Sequence, residues 1–162
     1  MRRPVRGALR GIMAGMSTKN DLDSALKQAM RSGDESRKRT IRMVLANIKM
    51  AEIEKGAELD DAGVLSMLQK EVKNQQETIA DAERAARPDL VASAQEEITI
   101  LESFLPRPFS QVELEALARQ AIAEVQASSV REMGQVMKVL MPRLQGRATG
   151  EQASQMVRQL LQ

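Results

Sequence analysis

The sequence contains no cysteine and no histidine among its 162 residues. Without cysteine the chain cannot form disulfides or use a thiol nucleophile, and without both residue types it lacks the usual zinc ligands. A mechanism with a histidine base is excluded for the same reason. Only carboxylate, Lys, Arg, Ser and Thr side chains remain for chemistry, so we expect no metal, no cofactor and no catalytic residue.

Aromatic residues are also nearly absent, because Phe104 and Phe109 are the only two. The apolar residues, 43% of the chain, are mainly Ala, Leu, Met, Val and Ile, which suit helix-on-helix packing better than a sheet. No apolar run approaches the roughly 20 residues needed to span a bilayer. The composition therefore predicts an all-α protein in the cytoplasm, with no membrane contact.

Acidic residues are missing from the first 15 residues, which carry four arginines, Arg2, Arg3, Arg6 and Arg10. We expect residues 1–16 to be a disordered basic extension, or the product of a start codon assigned too early, since translation from Met16 would begin just before the first helix. Two alternatives stay open. The segment could be a basic arm that touches RNA, or an Arg-rich organellar transit peptide.

The periodicity of the apolar residues predicts seven helices, with caps, glycines and prolines as boundaries. The first four occupy a predicted N-terminal helical domain, residues 17–105. They run from about residue 18 to Gly33, from about 35 to 55, from Asp60 to a break before Pro88, and from there to Pro106.

Two prolines in residues 106–109 form a linker, because neither Pro106 nor Pro108 can continue a helix. The pattern of residues 110–162 then predicts a compact three-helix domain with helices at roughly 111–126, 130–141 and 150–161. Each begins at a capping box, formed by Ser110 with Glu113, Ser129 with Glu132, and Thr149 with Gln152. Three short amphipathic helices can enclose one small core.

The connection before the last helix, "MGQVMKVLMPRLQGRATG" (133–150), combines three glycines and a proline with basic residues and no acid. Lys138, Arg143 and Arg147, with the free N–H groups of a helix N-terminus, suit a phosphate, and Gly146 and Gly150 would allow close backbone approach. Residues 106–162 carry seven basic and five acidic side chains, against 13 and 17 in residues 16–105. The alternative is a plain helix connection, in which Pro142 ends one helix and Thr149 caps the next.

Other features have plainer interpretations. Gly134, early in a helix, suggests close approach of another backbone. "RKRTIR" (37–42) is interpreted as a solvated basic face, and Lys73 with Glu77 as an ordinary i,i+4 surface pair. Ser128 and Ser129 have no histidine base and no oxyanion loop beside them, so they are not interpreted as nucleophiles.

Several segments resemble the YqeY family, also called GatB/YqeY-like proteins. They are "RMVLANIKMAEIEKG" (42–56), "LQKEVKNQQETI" (68–79), "ILESFLP" (100–106), "ASSVREMGQVMKVLMPRLQGRATG" (127–150) and the closing "VRQLLQ". The resemblance covers residues 17–162 in register. Where relatives often have basic residues, this chain has Gln135, Gln145 and the neutral run 74–76, and each loss removes a possible phosphate contact.

The resemblance implies a bacterial, cytosolic, all-helical protein whose C-terminal part is similar to the tail domain of the GatB subunit of the tRNA-dependent amidotransferase. That domain contacts tRNA and performs no chemistry. The family label, glutamine-dependent carbon–nitrogen ligase, exceeds what these residues support, so we expect no enzyme in the chain by itself. The leading hypothesis is a non-catalytic accessory protein that binds tRNA or an amidotransferase complex. The alternatives are a helical protein–protein adaptor and, less favoured, a stand-alone amidotransferase.

Overall fold

The structure, a computed structural model, describes residues 18–162, and within them it contains seven α-helices, a short 3₁₀ turn and no strand. The all-α class is therefore confirmed. The interpretations of residues 1–16 lie outside the described residues. In chain order the elements are α1 (Thr18–Ser32), α2 (Glu35–Lys55), α3 (Asp61–Arg84), α4 (Pro88–Glu102), α5 (Gln111–Val125), the 3₁₀ turn (Val130–Glu132), α6 (Met133–Leu144) and α7 (Gly150–Leu160).

The first four helices, which we call the N-terminal unit, surround one hydrophobic cluster. Local signals set their ends: the Asp34 side chain accepts from the Arg37 N–H, Asp60 accepts from Gly63, and Gly56 closes α2 at a φ of 70°. One apolar stripe from each helix then faces inward. The buried residues of this cluster are Leu22, Ala25, Ile41, Val44, Ile48, Val64, Leu68, Val72, Ile98 and Leu101.

The last three helices, which we call the C-terminal unit, surround a second and separate cluster. Its buried residues are Leu114, Ala118, Ala121, Val136, Leu140, Leu144, Ala148, Ala153, Met156 and Val157. The capping boxes predicted at Ser110 and Thr149 are formed. At the third box, the Glu132 carboxylate accepts from the backbone N–H groups of Ser128 and Ser129 and starts the 3₁₀ turn. Whether the two units are independent domains stays a prediction.

Two predicted helix ends differ from the structure. Helix α4 ends at Glu102, before the linker prolines, whereas α6 continues through Pro142 to Leu144. A proline inside a helix costs about 3 kcal/mol because a hydrogen bond is lost and its ring clashes with the previous turn. Leu144 lies one half-turn beyond Pro142 and is only 3% exposed, and its burial offsets this cost.

The expectation for Gly134 is wrong. A Cβ built at this position meets no heavy atom of residues 18–162 within 4 Å, so no other backbone among them approaches it. Gly134 instead lies on the exposed face of α6. Its lack of a side chain leaves the helix backbone accessible from outside.

The two units meet where the side of α3 contacts the connection between α6 and α7. The Gln69 side-chain amide donates to the carbonyl oxygens of Gly146, at 2.8 Å, and Ala148, at 3.3 Å. The Lys73 ammonium lies 3.1 Å from the Glu151 carboxylate. The predicted surface pair of Lys73 with Glu77 is therefore replaced by an ion pair between the units, because the fold brings α7 beside α3.

Candidate nucleic-acid interface

The connection between α6 and α7 is built from two residues with positive φ followed by a capped helix start. Gln145 and Gly146 have φ values of 48° and 75°, and the Arg147 N–H donates to the Leu144 carbonyl at 2.8 Å. The Thr149 hydroxyl then accepts from the Gln152 N–H, and the Gln152 side chain accepts from the Thr149 N–H. Local hydrogen bonds thus satisfy part of the helix N-terminus that was predicted to hold a phosphate.

Lys138 is the predicted phosphate ligand whose charge is available. It is exposed on α6 and has no ion-pair or hydrogen-bond partner within residues 18–162. Helix α6 has no acid in its first turn or elsewhere. The ammonium group can therefore meet an anion without first releasing a carboxylate.

Arg143 is only partly available, because its guanidinium pairs with the carboxylate of Glu124 on α5. The Glu124 side chain is 54% exposed, so the pair lies at the surface. Exposed pairs contribute roughly 0–1 kcal/mol, and an incoming phosphate could exchange with the carboxylate. The packing of α5 against α6 therefore gives Arg143 a partner that sequence spacing did not show.

The Arg147 side chain already contacts other groups of the same chain. Its guanidinium lies 3.9 Å from the centre of the Phe109 ring, and its Nε donates to the Arg107 carbonyl at 2.9 Å. In return, the Phe109 N–H donates to the Arg147 carbonyl at 2.9 Å. These contacts fasten the linker to the loop before α7. The geometry gives Arg147 a role in positioning the linker.

Glu113 completes this clamp from α5. Its carboxylate accepts from Arg107 at 2.8 Å and lies 3.8 Å from Arg147. The Arg107 hydrogen bond, with the backbone N–H of Ser110, lowers the pKa of Glu113 from 4.5 to about 2. The same carboxylate therefore caps α5 and holds both Arg107 of the linker and Arg147 of the loop before α7.

The two predicted glycines contact protein. A Cβ at Gly146 would lie 2.8 Å from Cδ1 of Leu65 on α3, so the absent side chain makes room for the other unit. At Gly150 a Cβ would lie 3.3 Å from the terminal methyl of Met141. Close backbone approach, expected here toward a phosphate, occurs between elements of the fold. Phosphate binding by the five predicted residues stays a prediction.

A cleft of about 550 Å³ lies between the units, beside the same loop. Its cationic lining residues are Lys73, Arg107 and Arg147, and its acidic ones are Glu102 and Glu151. Lys73 is paired with Glu151 inside it. Because the charges nearly balance, the cleft offers no strong field for an anion.

Sequence reasoning missed two exposed cations of the C-terminal unit, Arg131 and Arg158. Like Lys138, neither has an ion-pair partner in the part of the chain that the structure describes. The spacing of seven residues between Arg131 and Lys138 was a usable signal, since residues two turns apart share a helix face. No sequence pattern linked Arg158 to these two residues, because its position relative to α6 depends on how α7 packs.

The cations of the predicted solvated face at 37–42 are engaged within the fold, and Ser128 and Ser129 bond a carboxylate. In "RKRTIR", Lys38 pairs with Glu35, Arg39 with Glu97, and Arg37 lies 5.3 Å from the Phe104 ring centre. The backbone N–H groups of Ser128 and Ser129 lower the pKa of Glu132, which makes this neighbouring carboxylate a poor general base.

Residues 18–162 contain neither a membrane-spanning helix nor a metal-binding cluster of carboxylates. None of the helices there combines the length and apolar character that crossing a bilayer requires. The Asp and Glu side chains of the same residues form no group of three that could hold a metal ion.

Comparison with known proteins gives a family. A sequence model described as Yqey-like protein matches residues 19–161. Three fungal proteins named "Altered inheritance of mitochondria protein 41, mitochondrial" are also similar. The one from Pyrenophora tritici-repentis is 29% identical over 130 residues, which cover 78% of this chain and 71% of that protein. Those from Lachancea thermotolerans and Kluyveromyces lactis are 30% and 35% identical over 112 and 111 residues.

In these two yeast proteins the match covers 60% of their length, and 67% and 66% of this chain. All three relatives are eukaryotic, and their name places them in mitochondria. They therefore give no support to the bacterial, cytoplasmic setting implied above, which stays a prediction. The resemblance to the GatB tail domain also stays a prediction.

Proposed function

The chain belongs to the Yqey-like protein family, and on that premise we propose that it is a non-catalytic accessory protein that binds tRNA, or a complex that handles tRNA. The C-terminal unit is the proposed binding element. The absence of cysteine and histidine favours a binding role over a catalytic one, because the usual nucleophile and base are missing.

The observation that carries this proposal is the unequal use of charges in the C-terminal unit. All five of its carboxylates are engaged within the chain: Glu113, Glu115 and Glu124 with arginines, Glu132 with backbone N–H groups, and Glu151 with Lys73. Three cations, Arg131, Lys138 and Arg158, remain unpaired within residues 18–162. The surface of this unit is therefore positive wherever its charges are free, as a phosphate-binding surface requires.

The loop residues contribute unequally in this proposal. Lys138 can contact a phosphate directly, whereas Arg143 must first break its ion pair with Glu124 before it can bind one. Arg147 would have to leave both Phe109 and the Arg107 carbonyl, so we assign it to positioning the linker. Lys138→Gln is expected to lower the salt slope of tRNA binding by about one, and Arg143→Gln by less.

The test is fluorescence anisotropy of the purified chain with labelled total tRNA at several salt concentrations. Three phosphate contacts predict a slope of about −2 to −3 in log K against log salt, which is a roughly 16- to 64-fold weakening between 50 and 200 mM. Absence of binding at low salt would overturn the proposal. Binding without salt dependence would remove the free cations from it.

A protein-interaction role is the second candidate, and one observation favours it. Met50 and Ile53 lie about one turn apart on α2 and are 61% and 71% exposed, which is a typical arrangement for an adaptable protein contact. Affinity capture after nuclease treatment separates the two candidates. A partner that is recovered with the wild-type chain and lost with Met50→Gln/Ile53→Gln supports the adaptor.

A stand-alone amidotransferase is the third and least favoured candidate. Glutamine-dependent amide formation by the purified chain, abolished by a single substitution that leaves the fold intact, would establish it. The alternatives for residues 1–16 do not affect these tests, which can be run with the chain begun at Met16.

A further inference from the structure

The outer face of α6 is basic and has an accessible backbone. Arg131 lies in the 3₁₀ turn that leads directly into α6, and Lys138, seven residues later, lies about two turns away on a similar side. Gly134 lies between them on the same side, and a side chain there would meet open space. A ligand can therefore reach the α6 backbone between two unpaired cations.

Helix α7 adds a third cation to this face. The start of α7 packs beside Met141, since a Cβ at Gly150 would lie 3.3 Å from the Met141 methyl. The five-residue connection makes α6 and α7 antiparallel neighbours. Gly150, Ser154 and Arg158 follow at intervals of four residues along one side of α7. From this contact, Arg158 is about 12 Å along α7 and Gly134 about 10 Å along α6, so the antiparallel pairing predicts that they lie at a similar level.

The ligand class follows from what this face lacks. Recognition of unpaired bases uses aromatic faces on which bases stack. The only aromatic residues of the chain, Phe104 and Phe109, each have an arginine over the ring, at 5.3 and 3.9 Å, and neither belongs to this face. Charge and backbone access remain, and these recognise the sugar–phosphate backbone of a helix.

We propose that the α6–α7 face, defined by Arg131, Gly134, Lys138 and Arg158, binds the sugar–phosphate backbone of double-helical RNA. This inference rests on the proposed function and locates it: the three cations hold phosphates, and Gly134 lets the RNA strand approach α6 closely. The loop arginines Arg143 and Arg147 point to the α5 and linker side and are not required for this contact.

The charge test compares two triple variants that lose the same charge. Arg131→Gln/Lys138→Gln/Arg158→Gln removes the cations of the face, and Lys49→Gln/Arg84→Gln/Arg119→Gln removes three exposed cations elsewhere. Anisotropy with a 20-base-pair RNA duplex is measured against salt. We expect the first triple to flatten the salt slope by two to three and the second to leave it nearly unchanged.

The steric test uses Gly134→Met, with Gln159→Met as its control on another side of the C-terminal unit. Because a Cβ at Gly134 meets no atom of the described residues, the variant should fold and melt at or above the wild-type temperature. We expect it to weaken duplex binding at least tenfold, whereas Gln159→Met binds as the wild type does. Unchanged binding by Gly134→Met would overturn the close approach at α6.

The outcomes separate this inference from the proposed function. If the wild type binds tRNA with salt dependence and the face triple binds equally well, the inference is overturned and the proposed function stands. If single-stranded RNA of the same length binds more tightly than the duplex, the assignment to double-helical RNA is overturned. If neither tRNA nor duplex binds at low salt, the proposed function itself falls.

Discussion

The two units bury the same number of residues in their clusters but with different side chains. The N-terminal cluster has one alanine among ten buried residues, whereas the C-terminal cluster has four. The N-terminal helices are also longer, with 15 to 24 residues against 11 to 15. Burial of large aliphatic side chains therefore stabilises the first unit more than the second.

The C-terminal unit relies more on polar contacts. Capping boxes begin α5 and α7, and the Arg107–Glu113–Arg147 clamp joins the linker to the loop before α7. All of these contacts depend on geometry, and the α5 box and the clamp depend on ionised Glu113 as well. A small alanine-rich core thus leaves helix ends and loops to be fixed by hydrogen bonds. These bonds engage the carboxylates and leave the outer cations free.

The largest expected effect on stability comes from truncating a buried side chain in the N-terminal cluster. Leu68→Ala removes a fully buried side chain and should lower the free energy of unfolding by about 2–5 kcal/mol. Leu90→Ala, at an exposed position, is the control and should change it little. Urea unfolding followed by far-UV circular dichroism gives the magnitude. Hydrogen exchange by peptide should rise mainly in α1–α4, and an equal rise in α5–α7 would show that the units unfold as one body.

The next effect concerns the contact between the units. Gly146→Ala forces a side chain to a φ of 75°, which costs about 1–2 kcal/mol. It also places a Cβ against Leu65. Gly33→Ala is the matched control, with a φ of 73° and no atom within 4 Å. We expect Gly146→Ala to be the more destabilising in thermal unfolding. Equal losses would mean that the Leu65 contact carries no energy.

A smaller change should stabilise the N-terminal unit. The Thr40 hydroxyl is buried and has no hydrogen-bond partner in the described part of the chain. Thr40→Val keeps the shape and removes the unpaired group, so we expect a gain of about 1 kcal/mol in urea unfolding. Thr99→Val is the comparison, because the exposed Thr99 hydroxyl donates to the Gln95 carbonyl. A destabilised Thr40→Val would contradict the unpaired state.

The smallest effect is confined to acid and to the C-terminal unit. Folding lowers the pKa of Glu113 from 4.5 to about 2, mainly through Arg107. Ionised Glu113 therefore stabilises the fold above about pH 4.5, and this stabilisation is lost as the pH falls toward 2. Urea midpoints of the wild type should fall more steeply over this range than those of Glu113→Gln. Parallel curves would show that the clamp contributes nothing to stability.

Most helix positions could be predicted from the sequence, because caps and breakers act over a few residues. Asp60, Ser110 and Thr149 begin helices where their side chains can bond the next turn, and Pro88 starts a new helix after a break. The end of α6 could not be predicted. Its continuation through Pro142 depends on the burial of Leu144 in a core that only the packed helices create.

The candidate site divides in the same way. The excess of basic over acidic residues in the C-terminal unit and the seven-residue spacing of Arg131 and Lys138 follow from composition and periodicity alone. Which cations are free depends on how the helices pack. The tertiary structure brings Glu124 to Arg143, Phe109 to Arg147, Glu151 to Lys73 and Leu65 to Gly146, because a side chain finds a partner distant in sequence only once the helices have packed.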